Sequence, residues 1–161
     1  MYRDDIADML EHLYSLVSNG GQYVNLRSPV EQRDGVAWCQ PGDANLMWLM
    51  RDMLVREAGD TLLLCGSCPK AWLAAGESIG VTDLRTHFGK VSFKLTSGAK
   101  GKTIRGRFEL KLKSKPKAIR LRLRHPSGAT PASVTINGKP AACDGEWINL
   151  PANAKTIAVT Y

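Results

Sequence analysis

Two groups of residues have types and spacings that could do chemistry. The first is Cys65-Gly66-Ser67-Cys68, a C-x-x-C pair. Set between a strand and a helix N-terminus, such a pair is a redox dithiol, because the helix end lowers the pKa of the first thiol. Here the helical stretch that follows, Pro69 to Ala75, is short, and no β-α-β pattern surrounds it. A zinc site would need Cys39 and Cys143, or a histidine, to complete four ligands, and nothing in the spacing supports one. The surroundings favour two small apolar side chains in a tight turn. His12, His87 and His125 are scattered, so neither a metal site nor a cofactor is expected.

The second group is cationic. From Lys102 to Lys113 the residues alternate, with Ile104, Gly106, Phe108, Leu110 and Leu112 on one side and Arg105, Arg107, Lys111 and Lys113 among those on the other. After Ser114-Lys115-Pro116-Lys117 the alternation resumes, with Ile119, Leu121 and Leu123 inside and Arg120, Arg122 and Arg124 outside. A period of two puts each set on one face of a strand. The expectation is a central pair of strands with one greasy and one basic face. Such a face could track a phosphate backbone or another anionic polymer. Binders of single-stranded nucleic acid interleave aromatics for base stacking, and this face has none, so a solvated or acid-paired outer face is the reading favoured over nucleic acid.

Tryptophans are the remaining candidates. Trp48 and Trp72 lie in apolar stretches and are expected in the core. Trp38 and Trp147 lie beside turns, where an exposed aromatic can form a platform for a sugar ring.

The bulk numbers bound the class. The chain has 161 residues, 43% hydrophobic and 23% charged, as in a soluble globular protein. A domain of this size buries roughly 70% of its extended-chain surface and needs no staples. No apolar run approaches the ~20 residues needed to span a bilayer, so no membrane partner is expected. Met1-Tyr2-Arg3-Asp4-Asp5 leads into an amphipathic helix, not a signal peptide, and the expected location of the chain as it stands is cytoplasmic. Residues 1–60 carry a net charge of −5 and residues 61–161 a net of +12, which together make the +7 of the whole chain. Such asymmetry can mark a polyanion partner, or an acidic helical layer set against a basic sheet.

The elements that position these residues follow from periodicity and turn chemistry. Residues 5–18 and about Asp43 to Glu57 read as helices, separated by a turn-rich loop over residues 22–42. The second helix is apolar around most of its girth, which predicts self-association through the helices, most simply as a two-fold dimer. From Thr61 the period changes to two. Short strands with frequent turns predict an antiparallel sandwich, and Asn137-Gly138 marks a hairpin. The fold class expected is α+β, mainly β: two N-terminal helices (residues 1–59) followed by an antiparallel β-sandwich of about eight strands (residues 60–161).

Three stretches carry a more specific likeness: Leu54 to Leu64, Pro69-Lys70-Ala71-Trp72-Leu73, and Thr86-His87-Phe88-Gly89-Lys90-Val91-Ser92-Phe93. Together they resemble the junction at which a bacterial (α/α)6-toroid glycoside hydrolase of the α-L-rhamnosidase-like kind passes into its C-terminal β-sandwich. Ser133 to Pro140 is similar to the last hairpin of such sandwiches. The resemblance covers roughly residues 43–161. It implies that residues 1–59 match a toroid's last helices. The carboxylates that cleave the glycosidic bond lie on earlier toroid segments, so no catalytic residue is expected. The loop matching the family's final toroid loop, Gln22 to Pro41, offers Glu31, Asp34 and Trp38 as carbohydrate-binding candidates but no histidine. An inverting glycosidase needs two carboxyl groups about 6.5–9.5 Å apart across a sugar, which one loop does not supply. The expectation is a non-catalytic accessory module, carbohydrate-associated. The alternatives are a binding module for an anionic polymer, nucleic acid or acidic glycan, and, third, a glycosidase in its own right.

Overall fold

The computed structural model describes residues 40–161, with side-chain surroundings from Met47 onward. The expected helix over residues 5–18 lies outside the described residues, as do Glu31, Asp34, Trp38 and Cys39. The chain divides into two compact units, Met1–Met53 and Leu54–Tyr161. Among the described residues no helix is long and apolar enough to cross a membrane.

In the first unit the described element is helix α1, Gln40–Leu54, which runs one residue past the boundary. Leu49 and Met53, four residues apart and therefore on one face, are buried, whereas Met47 and Trp48 are each 73% exposed. Trp48 is therefore not the core residue expected from its apolar neighbours. The helix also stops short of Glu57. Val55-Arg56-Glu57-Ala58 instead forms strand β1, Val55–Ala58, in register with β2, Thr61–Leu64. Val55 is β-branched and pairs with Leu64, so sheet packing outweighs the helical period of the preceding residues.

The second unit is mainly β, and its strands form two sheets. After β2 come a 3-10 turn, Lys70–Leu73, and then β3 (Ser78–Thr86), β4 (Gly89–Ser97), β5 (Thr103–Leu112), β6 (Ala118–Arg122), β7 (Ser133–Ile136), β8 (Lys139–Pro140), β9 (Cys143–Asp144), β10 (Trp147–Asn149) and β11 (Thr156–Thr160). One sheet has the order β1-β2-β6-β10-β9 and the other β3-β4-β5-β11-β7-β8. The eleven strands exceed the expected eight or so, because β1 and the two-residue strands β8 and β9 add to the count. The sheets are antiparallel except at β2–β6, which pair in parallel, Leu62 beside Ile119 and Leu64 beside Leu121.

The inner faces share one core. Leu62, Leu64, Leu121 and Ile148 from the first sheet join Phe93, Ile104, Phe108 and Ile157 from the second in one buried cluster, a sandwich-like arrangement. The Phe93 and Phe108 rings meet at 6.1 Å. Inter-sheet closure is helped at one end by Glu57, whose carboxylate accepts the backbone N–H of His87 and lies 2.9 Å from its Nδ1.

The two basic segments are not a strand pair. β5 lies in the six-stranded sheet and β6 in the five-stranded one, and residues 113–117 pass from one layer to the other. Lys117 N–H donates to the carbonyl of Asp60 at 2.7 Å, which docks this crossing next to the start of β2. The expected single basic face is therefore two faces, one on each sheet.

Candidate functional site

Antiparallel partners share a face, so the register of the six-stranded sheet defines its outer surface residue by residue. One row across it is Gly80, Lys94, Arg107 and Thr156. The next is Ser78, Thr96, Arg105, Ala158 and Thr135. The side chains on β11 are short, Thr156 and Ala158, while Lys94 on β4 and Arg105 and Arg107 on β5 are long. The floor is therefore low beside a cationic bank. A depression of about 610 Å3 results, lined by Lys94, Thr96, Arg105, Arg107, Thr135 and Thr156 with neighbouring backbone, and no carboxylate among the described residues lines it.

The charges on this face are distributed unevenly. Toward the other end of β4 and β5, Lys90 and Lys111 also face each other in register. There each has an acid: Lys90 Nζ lies 3.8 Å from Asp83 Oδ2, and Lys111 Nζ 2.8 Å from Glu109 Oε1. The hydrogen bond that Lys111 donates to Glu109 holds its ammonium above its usual pKa. At Lys94, Arg105 and Arg107 no carboxylate among the described residues comes within ion-pair distance. Lys113 lies just beyond β5, exposed, at the compensated end. Of the expected basic residues, Arg105 and Arg107 thus share the groove, and Lys111 and Lys113 do not belong to it.

Arg120, Arg122 and Arg124 are on or just past β6, on the outer side of the five-stranded sheet, and are engaged within the protein. Arg122 Nε donates to Glu146 Oε2 at 2.9 Å, and its terminal nitrogen donates to the carbonyl of Gly66 at 3.1 Å. Arg124 donates to the carbonyl of Cys68 at 3.3 Å, and burial lowers its pKa, partly offset by Glu146. Arg120 lies 3.9 Å from Asp144. The guanidinium carbons of Arg120 and Arg122 lie 4.7 and 5.1 Å from the centroid of the Trp147 ring. Trp147 is consequently half-buried beneath two cations, and the face it would offer to a sugar is taken up by them. Trp72 packs at the margin of the core, as expected.

The C-x-x-C pair sits where Arg122 and Arg124 grip the 65–68 turn. Cys65 is fully buried, Cys68 nearly so, and neither is part of a disulfide. Burial, with the neighbouring Cys68, pushes the Cys65 thiol well above its usual range. A nucleophilic thiol needs the opposite shift, so this is a packed turn and not a poised dithiol. Among the described residues no group of three or more His, Cys, Asp or Glu is placed to hold a metal ion.

The sequence reading missed Lys94, Thr96, Thr135 and Thr156 as groove residues. The alternation in β4 and β11 places them outward, but only the strand order makes them neighbours. No family model and no curated protein matches the chain.

Proposed function

We propose that this chain is a non-catalytic accessory module that binds an anionic polymer through the outer face of its six-stranded sheet. The observation that carries the reading is the uncompensated half of that face. Lys94, Arg105 and Arg107 line one depression with no acid among the described residues, while the same strands hold acid-paired lysines a few residues away. Like charges directly opposite across a sheet are destabilising, and a ligand that neutralises them would relieve that cost. The sandwich-like body, and the likeness of residues 43–161 to the C-terminal region of toroid glycoside hydrolases, support an accessory role beside a carbohydrate-active enzyme.

Retention on an acidic-polysaccharide matrix tests this. The chain is expected to bind at 0.1 M salt and elute toward 1 M, as the Debye length falls from ~10 Å to ~3 Å. Arg105→Ala with Arg107→Ala should abolish retention, and Arg120→Ala should not. Equal retention of both variants and the parent would sink the assignment of this face.

The exposure of Met47 and Trp48 on α1 supports self-association through the helical segment with a second copy of the chain. Light scattering should then show a concentration-dependent dimer, weakened by Trp48→Ser; a monomer at all concentrations overturns it.

A further inference from the structure

Resting on that anionic-ligand reading, we infer that the occupant is an acidic polysaccharide laid across the strands as a chain, with Arg107 at the middle of its path. The groove does not stand alone. A second depression of about 440 Å3, reaching Asn153 and Lys155, and a third of about 240 Å3, reaching Thr82 and Ser92, adjoin it. Arg107 lines all three, and Lys94 lines two of them. The track runs from the β3–β4 side over Arg107 to β11 and β7. Four inter-strand spacings of about 4.8 Å make it about 19 Å long, room for several sugar rings. A single small anion would be satisfied at one cation and would leave most of this track empty.

The chemistry of the walls selects the class of polymer. The arginine fork of Arg107 suits carboxylate or sulfate in a bidentate pairing. Thr82, Thr96 and Thr156 supply hydroxyls, each able to donate and accept, that suit a ligand rich in hydroxyls; Ser92 Oγ, which accepts the Asp83 N–H, can still donate, and Thr135 Oγ1, which donates to the Ala158 carbonyl, can still accept. Single-stranded nucleic acid needs exposed rings for its bases. The rings bordering the track, Phe93 and Phe108, are 4% and 7% exposed and belong to the core. Glu109 borders the two smaller depressions, and its charge is taken by Lys111.

Isothermal titration of the full chain tests this with five probes: galacturonate, a galacturonate tetramer, a sulfated tetrasaccharide, the neutral cellotetraose and an eight-residue oligothymidylate. One or both acidic tetramers should bind at least about tenfold more tightly than the monomer, because adjacent contacts on one chain add. Which of them binds identifies carboxylate or sulfate as the anion. Cellotetraose should not bind. Arg107→Ala, an exposed change whose folding is checked by its thermal melt, should weaken tetramer binding at least about tenfold. Equal affinity for monomer and tetramer overturns the chain-like occupant. Tighter binding of oligothymidylate than of both acidic tetramers overturns the polysaccharide and leaves the anionic reading standing. Binding by none of the anionic probes overturns that reading as well.

Discussion

Lys94 and Arg107 stand directly opposite each other in the β4–β5 register, two like charges with no carboxylate among the described residues within ion-pair distance of either. Reversing one of them separates stability from binding. Lys94→Glu places an acid across from Arg107, and a cross-strand pair of opposite charge is worth about 0.2–1 kcal/mol. The variant should melt at a higher temperature and lose retention on an acidic matrix. A lower melting temperature would show that the repulsion at this site carries no cost.

Gly106 faces inward on β5, where a Cβ would lie 2.6 Å from Leu95 Cδ2 and 2.7 Å from Ile157 Cγ2. Both neighbours are buried, so neither can withdraw easily. Gly106→Ala is expected to destabilise the unit by about 1–3 kcal/mol through overpacking. Urea denaturation measures this, and a change under about 0.5 kcal/mol would mean that the two strands part freely.

The phenol of Tyr161 stacks beside His125 at 4.3 Å, and its hydroxyl is buried without a hydrogen-bond partner among the described residues. Burial, with Glu146 and Cys143 nearby, pushes its pKa from 10 up to about 12. Folding thus favours the neutral phenol. Its contribution is complete below pH 10, where the unfolded chain also holds the proton, and is lost as the pH rises through about 12. Tyr161→Phe should leave stability at pH 7 unchanged or slightly higher, since an unpartnered polar group is removed. It should also flatten the fall in melting temperature between pH 10 and 12. A parallel fall in both proteins would count against this origin.

Thiol reactivity should divide sharply. Cys143 is exposed, whereas Cys65 and Cys68 are buried. Alkylation of the native chain at pH 8, read by peptide mass spectrometry, should label Cys143 within minutes. Cys65 and Cys68 should be modified only at the rate of unfolding. The raised pKa of Cys65 adds stability that is present below the usual thiol pKa and is lost above it, so protection should weaken first at alkaline pH. Early labelling of Cys65 at neutral pH would revive the reactive dithiol.

Most strands were legible, because burial follows side-chain alternation. Ile104, Gly106 and Phe108 point inward, and Arg105 and Arg107 outward, as the period of two requires. What alternation cannot carry is the identity of the neighbour. Ser114-Lys115-Pro116-Lys117 has the composition of a hairpin turn, but a hairpin and a crossing between layers present the same local pattern. The Lys117 bond to Asp60 and the parallel pairing of β2 with β6 decide it, and both are contacts across more than 50 residues.

The same distinction governs the site. Arg105 and Arg107 were recognisable as outward cations, but so were Arg120, Arg122 and Arg124, which share their spacing. They differ in what lies within reach: Glu146 and the carbonyls of Gly66 and Cys68 on one sheet, and threonine hydroxyls on the other. The helix at α1 failed in the opposite way. Val55 to Ala58 continues an acceptable helical run, and only its pairing with Thr61–Leu64 reveals a strand.

Strand β11 lies between β5 and β7, so residues 156–160 hold the two parts of the six-stranded sheet together. During synthesis on the ribosome, β3, β4 and β5 can zip up locally as they emerge, but their open edge waits for a segment made some 50 residues later. Until it arrives, Ile104 and Gly106 present unsatisfied backbone to the cell, the condition under which nascent β-proteins pair with the wrong chain. A window for mispairing during this interval is thus built into the strand order itself.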